Sequence, residues 1–320
     1  MKIGIIKLSS LGDIVVAMSF LPMLKAQGHE IDWFIDSCFE EIAHHSPCID
    51  NLISLPLKQA IKSKNYSTIP QIYKQLKQCP QYDLLIDMQG LIKSAIIGKW
   101  IPKKVFRGFG FSSCKESLSA LFYSQRVHIS YQANILKRNA KLLSLPIPSC
   151  TKDAFGYSPQ AQKTISNLLN SPSKKVLLLL EASRPTKMYP LLHFKTLCES
   201  LKNENITFLV PHHMYPKEAQ EFCADTQATL LPKLNLDEIK ALVSSVDAVI
   251  GGDTGITHLA WAMNKPSITL YGNTPLERFC LHGEKNISLS GNPHANYDKN
   301  DFSIGNISPL EIKKHLLEIL

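Results

Sequence analysis

The run VLLLLE at 176–181 constrains the fold of this chain more than any other segment. Its side chains are apolar on both alternating faces, so a strand built from it must be covered on both sides. A parallel sheet with helices on each face meets that requirement. KIGII at 2–6, IDWFI at 31–35, DLLID at 83–87, ITFLV at 206–210, DAVI at 247–250 and PSITLYG at 266–272 are further short runs of strand length. Between them, apolar positions recur at helical spacing at 14–26, near 38–45 and 66–79, from Leu91 onward, and near 115–123 and 131–145. The second half continues with helical segments at 190–203, 216–223, 236–245 and 255–263. This alternation predicts two successive doubly wound α/β domains. The prolines and small polar residues of LPIPSCTKDAFGYSP mark a linker. Ser308, Pro309 and Glu311 form a capping-box pattern that opens a last helix.

With 320 residues, 44% of them hydrophobic, the chain can bury a large core, and its length favours two domains over one. Cysteines 38, 48, 79, 114, 150, 198, 223 and 280 are scattered, with no CxxC and no His/Cys cluster. Reduced thiols are expected, without a disulfide framework or zinc site. The opening MKIGIIKLSSLGDIVV is interrupted by Lys7, Gly12 and Asp13, unlike a signal peptide, and no apolar run approaches membrane-spanning length. A soluble protein that is not exported is therefore expected. The net charge of +8 arises in the first half, where residues 51–128 are rich in lysine and arginine and hold only Asp83, Asp87 and Glu116 as acids. Such a surface attracts nucleic acid, anionic lipid or an acidic glycolipid. The stretch shows no RNP-like aromatic strand and no helix-turn-helix, so nucleic acid is not expected.

Three segments carry chemistry. GGDTGITHL at 251–259 lies between two strands, with glycines for a tight turn and a helix beginning at Gly255. The free N–H groups of a helix start attract an anion. The segment is neither a Walker loop nor GxGxxG. By spacing alone, Asp253 as a simple N-cap and His258 as a surface histidine stand open beside a ligand role. EASRPTKMYP, after VLLLL, brings Ser183, Arg184 and Lys187 toward the same crevice, where a lysine suits a phosphate as a point charge. KLSSLGD brings Lys7, Ser9, Ser10 and Gly12 into a loop and places Asp13 at the start of a helix, where by spacing alone a capping role comes first.

KLSSLGDIV at 7–15, DMQGLIKSA at 87–95, SRPTK at 183–187, PKLNLDEI at 232–239 and GGDTGITHL through YGNTP at 251–275 occur in this order. Together they resemble the bacterial heptosyltransferases of lipopolysaccharide core synthesis, glycosyltransferase family 9, and the opening is closer to type I than to type II. The resemblance implies two Rossmann-like domains facing a cleft, the GT-B fold. It implies an acceptor-binding domain at 1–155, a linker at 156–173, an ADP-heptose-binding domain at 174–306, and a C-terminal helix within 307–320 packing back toward the first domain. The implied reaction is inverting, needs no metal or other cofactor, and moves L-glycero-D-manno-heptose from ADP-heptose to Kdo of Kdo-lipid A. Heptosyltransferase II, acting on heptosyl-Kdo-lipid A, is the alternative, and a noncatalytic nucleotide-sugar-binding or nucleic-acid-binding protein is another.

By the same resemblance Asp13 is the general base, and Lys187, Ser183 and the amides of Thr254 and Gly255 hold the pyrophosphate. His258 supports that charge, Asp253 binds the sugar portion of the donor, and Leu234 packs the adenosine. The first loop, with Ser9, Ser10 and Gly12, meets the acceptor together with Lys58, Lys62, Lys64, Lys93, Arg107 and Lys115. The glutamate usual after the second strand of the donor domain has no plain counterpart in VPHHMYPKEAQ; Glu218 is the candidate, with His212 and His213 as alternatives. Lys115 stands where an arginine is usual, which weakens bidentate binding of an acidic group. A cytoplasmic monomer, peripheral on the inner face of the anionic inner membrane, is implied. SLSALFYS at 117–124 offers apolar contact with lipid, but packing within the domain is the favoured expectation.

Overall fold

The structure, a computed structural model, describes residues 1–63, 66–148 and 152–320. Lys64 and Cys150 lie outside the described residues. Two compact units are present, Met1–Gly156 and Tyr157–Leu320.

The first unit is a parallel sheet of β1 (Lys2–Ile6), β2 (Glu30–Asp36), β3 (Asn51–Leu55), β4 (Tyr82–Asp87), β5 (Lys103–Phe109) and β6 (Gln125–Val127), in the order β3-β2-β1-β4-β5-β6. Its helices are α1 (Leu11–Met18), α2 (Leu21–Ala26), α3 (Glu40–Ala43), α4 (Leu57–Lys62), α5 (Ile69–Lys77), α6 (Ile92–Trp100) and α7 (Ile135–Leu143). The second unit has α8 (Pro159–Leu168), β7 (Lys174–Leu179), α9 (Leu191–Ser200), β8 (Ile206–Val210), α10 (Pro216–Thr226), β9 (Thr229–Leu230) and α11 (Leu236–Ser245). It continues with β10 (Ala248–Gly252), α12 (Gly255–Ala262), β11 (Ser267–Tyr271), α13 (Leu276–Phe279), β12 (Asn286–Ser290) and α14 (Pro309–Ile319). Its sheet is also parallel, in the order β12-β11-β10-β7-β8-β9. Both orders are doubly wound. The strand order reverses between β1 and β4 in one sheet and between β7 and β10 in the other, so the chain leaves these neighbours toward opposite faces and a crevice opens at their carboxyl ends. Val176, Leu177 and Leu178 of β7 are fully buried, as a central parallel strand requires.

Several segments differ from expectation for identifiable reasons. The helix expected over 14–26 is two helices, interrupted at Ser19 and Phe20. Pro22 lacks an N–H, and its ring opposes the carbonyl four residues back, so it is tolerated only in the first turn of a new helix. The edge strands β3, β6 and β12 were not anticipated; they are short and at most partly buried over most of their length. The segment near 115–123 is a 3-10 helix, Ser117–Phe122. Its Ser119 and Ala120 pack inward, as does the following Tyr123, whereas Leu118 and Leu121 are 61% and 62% exposed. The favoured expectation that this stretch packs within the domain therefore holds for only part of it.

The span 156–173, expected as a linker, contains α8, which buries Ala161 and Ile165 and packs against α11. The last helix, expected to pack toward the first half, fills the core of the second unit. Ile312, Leu316 and Ile319 join the cluster that holds Phe194, Leu197 and Leu201, and Lys313 Nζ donates to Ser200 O at 2.5 Å. That apolar stripe needs a hydrophobic partner, and α9 supplies one. Ser308 caps α14 by accepting from Leu310 N at 3.3 Å, rather than through the reciprocal pairing with Glu311. The described cysteines are free thiols. No helix among the described residues is long and apolar enough to cross a membrane.

Candidate functional site

In the second unit, the polar groups gather at the carboxyl ends of β7 and β10, where the strand order reverses. The chain leaving β7 forms a 3-10 turn, Pro185–Lys187, and the chain leaving β10 enters α12 through Asp253 and Thr254. The two backbones touch. A Cβ on Gly252 would lie 2.0 Å from the carbonyl oxygen of Lys187, so only glycine permits this approach. The contact sets the Lys187 ammonium in an ion pair with the Asp253 carboxylate, and Lys187 Nζ also donates to Asp253 O at 3.3 Å. On the other side, His258 Nε2 is 2.9 Å from Asp253 Oδ1.

The Asp253 side chain is only 5% exposed. Burial alone would push its pKa up, but the His258 hydrogen bond and the Lys187 charge outweigh burial and hold it well below the ordinary carboxylate range. An ionised carboxylate accepts, so the proton of the His258–Asp253 bond sits on Nε2. His258 Nδ1 is buried with no hydrogen-bond partner. Neither plain alternative for these residues holds: Asp253 is not the cap, and His258 is buried. Thr254 occupies the N-cap position of α12, and its N–H donates to Thr257 Oγ1 at 3.1 Å. Thr254 Oγ1 is buried without a partner. The first-turn amides of α12 have no carbonyl one turn back to receive them. The start of α12, the Lys187 ammonium and the Thr254 hydroxyl, an unpartnered donor, thus gather at the end of β10, which suits an anion.

Beside it, Leu180, Glu181, Pro185, Met188, Leu191, Tyr215, Glu218 and Ala219 line a pocket of about 240 Å³. Glu218 lies in the first turn of α10 and reaches this pocket. His213 is exposed, and its loop is held by Glu181, whose carboxylate accepts from the N–H groups of His213, Met214 and Tyr215. Ser183 is exposed on the loop after β7. Leu234 is half-buried just before α11, whose start is fixed by reciprocal bonds between Asn235 and Glu238 of 2.8 and 2.9 Å.

In the first unit, Asp13 is the third residue of α1, after β1. Its Oδ2 accepts from Ser10 N at 3.2 Å and from Ser10 Oγ at 2.9 Å. Ser10, not Asp13, holds the cap position, and Gly12 is buried beside it. Ser9 N donates to Gln89 Oε1 at 3.1 Å. Lys58 and Lys62 on α4, Lys93 in the first turn of α6, and Lys115 after β5 are exposed, each on a segment leaving the carboxyl end of a strand. Lys58 Nζ lies 4.0 Å over the Phe39 ring. Arg107 is placed differently from these lysines. Its Nε donates to Gln125 Oε1 at 2.7 Å and its Nη1 to Leu142 O at 3.3 Å, at the carbonyl end of α7, where a cation is favourable. Half-buried, its guanidinium has its pKa lowered by burial. These bonds anchor Arg107 to β6 and to the end of α7.

DMQGLIKSA stands among the sequence motifs, but no role was read there for Asp87 or Gln89, although both are central to this loop. The available signal was DMQG at a strand end: an aspartate followed three residues later by glycine, the pattern of a turn closed by an Asp side chain.

The family model for glycosyltransferase family 9 (heptosyltransferase) matches residues 69–306. The lipopolysaccharide heptosyltransferase 1 of Campylobacter coli is 32% identical over 345 aligned residues, which cover 100% of this chain and 99% of the relative. Among solved structures, the E. coli heptosyltransferase WaaC with ADP has a TM-score of 0.81 at 23% identity, with 100% of both chains covered. The same enzyme with ADP-2-deoxy-2-fluoro heptose has a TM-score of 0.79 at 24% identity, with 99% of each covered. The two doubly wound sheets and these likenesses agree, and the chain belongs to glycosyltransferase family 9, the heptosyltransferases.

Proposed function

We propose that this protein is a heptosyltransferase of type I. It moves L-glycero-D-manno-heptose from ADP-heptose to a hydroxyl of Kdo on Kdo-lipid A, with inversion. The observation that carries the reading is the cluster of Lys187, Asp253 and His258 at the start of α12. The full-length relative named heptosyltransferase 1 supports the choice of type.

Single displacement at the anomeric carbon makes two opposite demands. The attacking hydroxyl must lose a proton, and the departing ADP must take the electron pair of the broken C–O bond. Asp13 receives the proton. Lys187, the α12 amides of Thr254 and Gly255, and His258 through its hold on Asp253 stabilise charge on the pyrophosphate, with Ser183 and Leu234 completing the donor site. Asp253, engaged by both Lys187 and His258, acts chiefly by holding Lys187 in place. Glu218, at the adjoining pocket, is the candidate for the heptose hydroxyls. Lys58, Lys62, Lys93 and Lys115, with Ser9 and Ser10, meet the anionic acceptor.

The test is ADP release from ADP-heptose with either Kdo-lipid A or heptosyl-Kdo-lipid A, with and without EDTA. Release with Kdo-lipid A that survives EDTA is expected. Release only with the heptosylated acceptor would reassign the protein to type II. ADP binding without release on either acceptor would make it a noncatalytic binder, and loss with EDTA would require a metal.

An acceptor anchored in lipid implies peripheral contact with the inner face of the inner membrane. The first unit supports this. α5, α6 and the 3-10 segment Ser117–Phe122 pack side by side over one face of the sheet, and none of the three contains an acidic residue. Lys74, Lys77, Lys93 and Lys99 are exposed there beside Tyr73, Leu118 and Leu121. Each lysine near an anionic bilayer contributes about 1 kcal/mol, and the leucines add apolar contact. Co-sedimentation with phosphatidylglycerol vesicles should weaken about tenfold in a Leu118→Ser, Leu121→Ser variant, which removes apolar contact and leaves the charge of the face unchanged. Equal binding by both proteins, or equal binding to phosphatidylcholine vesicles, would remove this face from the proposal.

A further inference from the structure

The turn that ends β4 grips the loop that carries Asp13. Asp87, fully buried, builds the turn. Its Oδ1 accepts from Gln89 N at 2.8 Å and Gly90 N at 3.1 Å, and its Oδ2 accepts from Ser94 Oγ at 2.7 Å and Tyr123 OH at 2.8 Å. Gly90 closes the turn with a φ of +66°, which a side chain would strain. A carboxylate with four donors on it has one arrangement, so Met88, Gln89 and Gly90 form a rigid platform.

From that platform three groups reach the end of β1 and the loop that follows it. Met88 N donates to Ile6 O at 3.0 Å. Met88 O accepts from the buried Lys7 Nζ at 3.2 Å. Gln89 Oε1 accepts from two consecutive amides, Leu8 N and Ser9 N, both at 3.1 Å. Two N–H donors on one side-chain atom identify that atom as the amide oxygen. The next residue, Ser10, donates both its N–H and its hydroxyl to Asp13. The chain of contacts from Asp87 to Asp13 is therefore continuous: carboxylate, turn amide, Gln89 side chain, loop amides, Ser10, Asp13.

We infer that Gln89 is a positioning residue for the general base: its amide oxygen fixes the loop so that Asp13 meets the acceptor hydroxyl in reacting geometry. This rests on Asp13 being the base. Gln89 touches neither substrate in this role. It acts through the backbone of Leu8 and Ser9, and a displacement of about 1 Å at the base is enough to cost on the order of 10²-fold in rate. A neutral oxygen suits the position. It accepts two N–H groups without adding a second negative charge near Asp13, which would favour the protonated base.

Gln89→Leu, similar in size but without an acceptor, is expected to lower kcat by about 10- to 100-fold while KM for ADP-heptose changes little. Gln89→Asn draws the oxygen back by one methylene and is expected to behave like the leucine variant. Gln89→Glu keeps an oxygen for both amides and is expected to recover most of kcat at pH 8, where both carboxylates are ionised. The decisive measurement is a double-mutant cycle with Asp13→Asn. If Gln89 works only through Asp13, adding Gln89→Leu to Asp13→Asn slows the enzyme by no more than about threefold. Multiplicative losses in the double variant, or wild-type kcat in folded Gln89→Leu and Gln89→Asn proteins, would overturn the inference. Should Gln89→Leu fail to fold, the asparagine and glutamate variants give the same comparison. The two readings fail separately: full turnover in Asp13→Asn alone rejects the base and leaves nothing for Gln89 to position.

Discussion

Asp13→Asn should bind ADP-heptose as well as the parent protein and turn it over about 10² to 10⁴ times more slowly, the range that general base catalysis contributes. The substitution keeps the size of the side chain and an oxygen that can still accept from Ser10 N and Oγ, so the start of α1 is preserved. What is removed is the capacity to take a proton. The corresponding barrier, about 3 to 5 kcal/mol, exceeds the roughly 1 kcal/mol that a helix-end interaction supplies at the other end of the reaction. Asp13→Asn should therefore be slower than Thr254→Ala. ADP release under saturating donor and acceptor measures turnover, and thermal stabilisation by ADP reports whether the donor site is intact. Parent-like turnover in a folded Asp13→Asn protein would remove Asp13 from the chemistry.

Lys187→Met should lower kcat/KM by about 10²- to 10³-fold, the effect of deleting one charged stabiliser of a developing anion. The same change also acts on stability. Lys187 is part of a pair whose carboxylate is buried, and leaving Asp253 with His258 alone should cost on the order of 3 kcal/mol. The sign of the pH dependence follows from Asp253. Its pKa in the folded protein lies below the ordinary 3.8, so it adds stability above that pH, and the addition is lost as the pH falls through the folded value. Losing the lysine raises the folded value. The stability gap between parent and variant should be widest at neutral pH, narrow once the pH falls below the variant's raised value, and close only as it passes through the parent's lower one, as read by urea unfolding. A gap that does not change with pH would mean the Lys187 charge is not what holds Asp253 ionised.

How legible this was in the sequence depended on the distance over which each signal acts. Apolar runs such as VLLLLE identify buried parallel strands locally, because the requirement to be covered on both faces is written into consecutive residues. β3 and β12 lie at sheet edges, where only part of each strand is buried and the apolar signal is diluted. Lys187 and Asp253 were each placed at the end of a strand, yet their ion pair could not be read. It exists because β7 and β10 are neighbours, and no spacing in the chain states that adjacency. The bond of Arg107 to the carbonyl end of α7 is likewise a contact that no local spacing states. Lys7 and Gln89 were illegible for a related reason: each bonds a segment some eighty residues away, Lys7 the turn after β4 and Gln89 the loop after β1.

The position of α14 bears on how the protein is made. Residues 1–156 contain every strand of the first sheet, so that unit can close its core while the ribosome is still producing the rest. The second unit has no such freedom. Lys313 and Ser200, joined in the folded state, are 113 positions apart, and Ile312, Leu316 and Ile319 complete a core begun at Val176. Until they emerge, α9 is covered only by Tyr189, α10 and the sheet, and the part of the core that α14 closes stays open to water, the kind of exposed apolar surface that favours aggregation during synthesis.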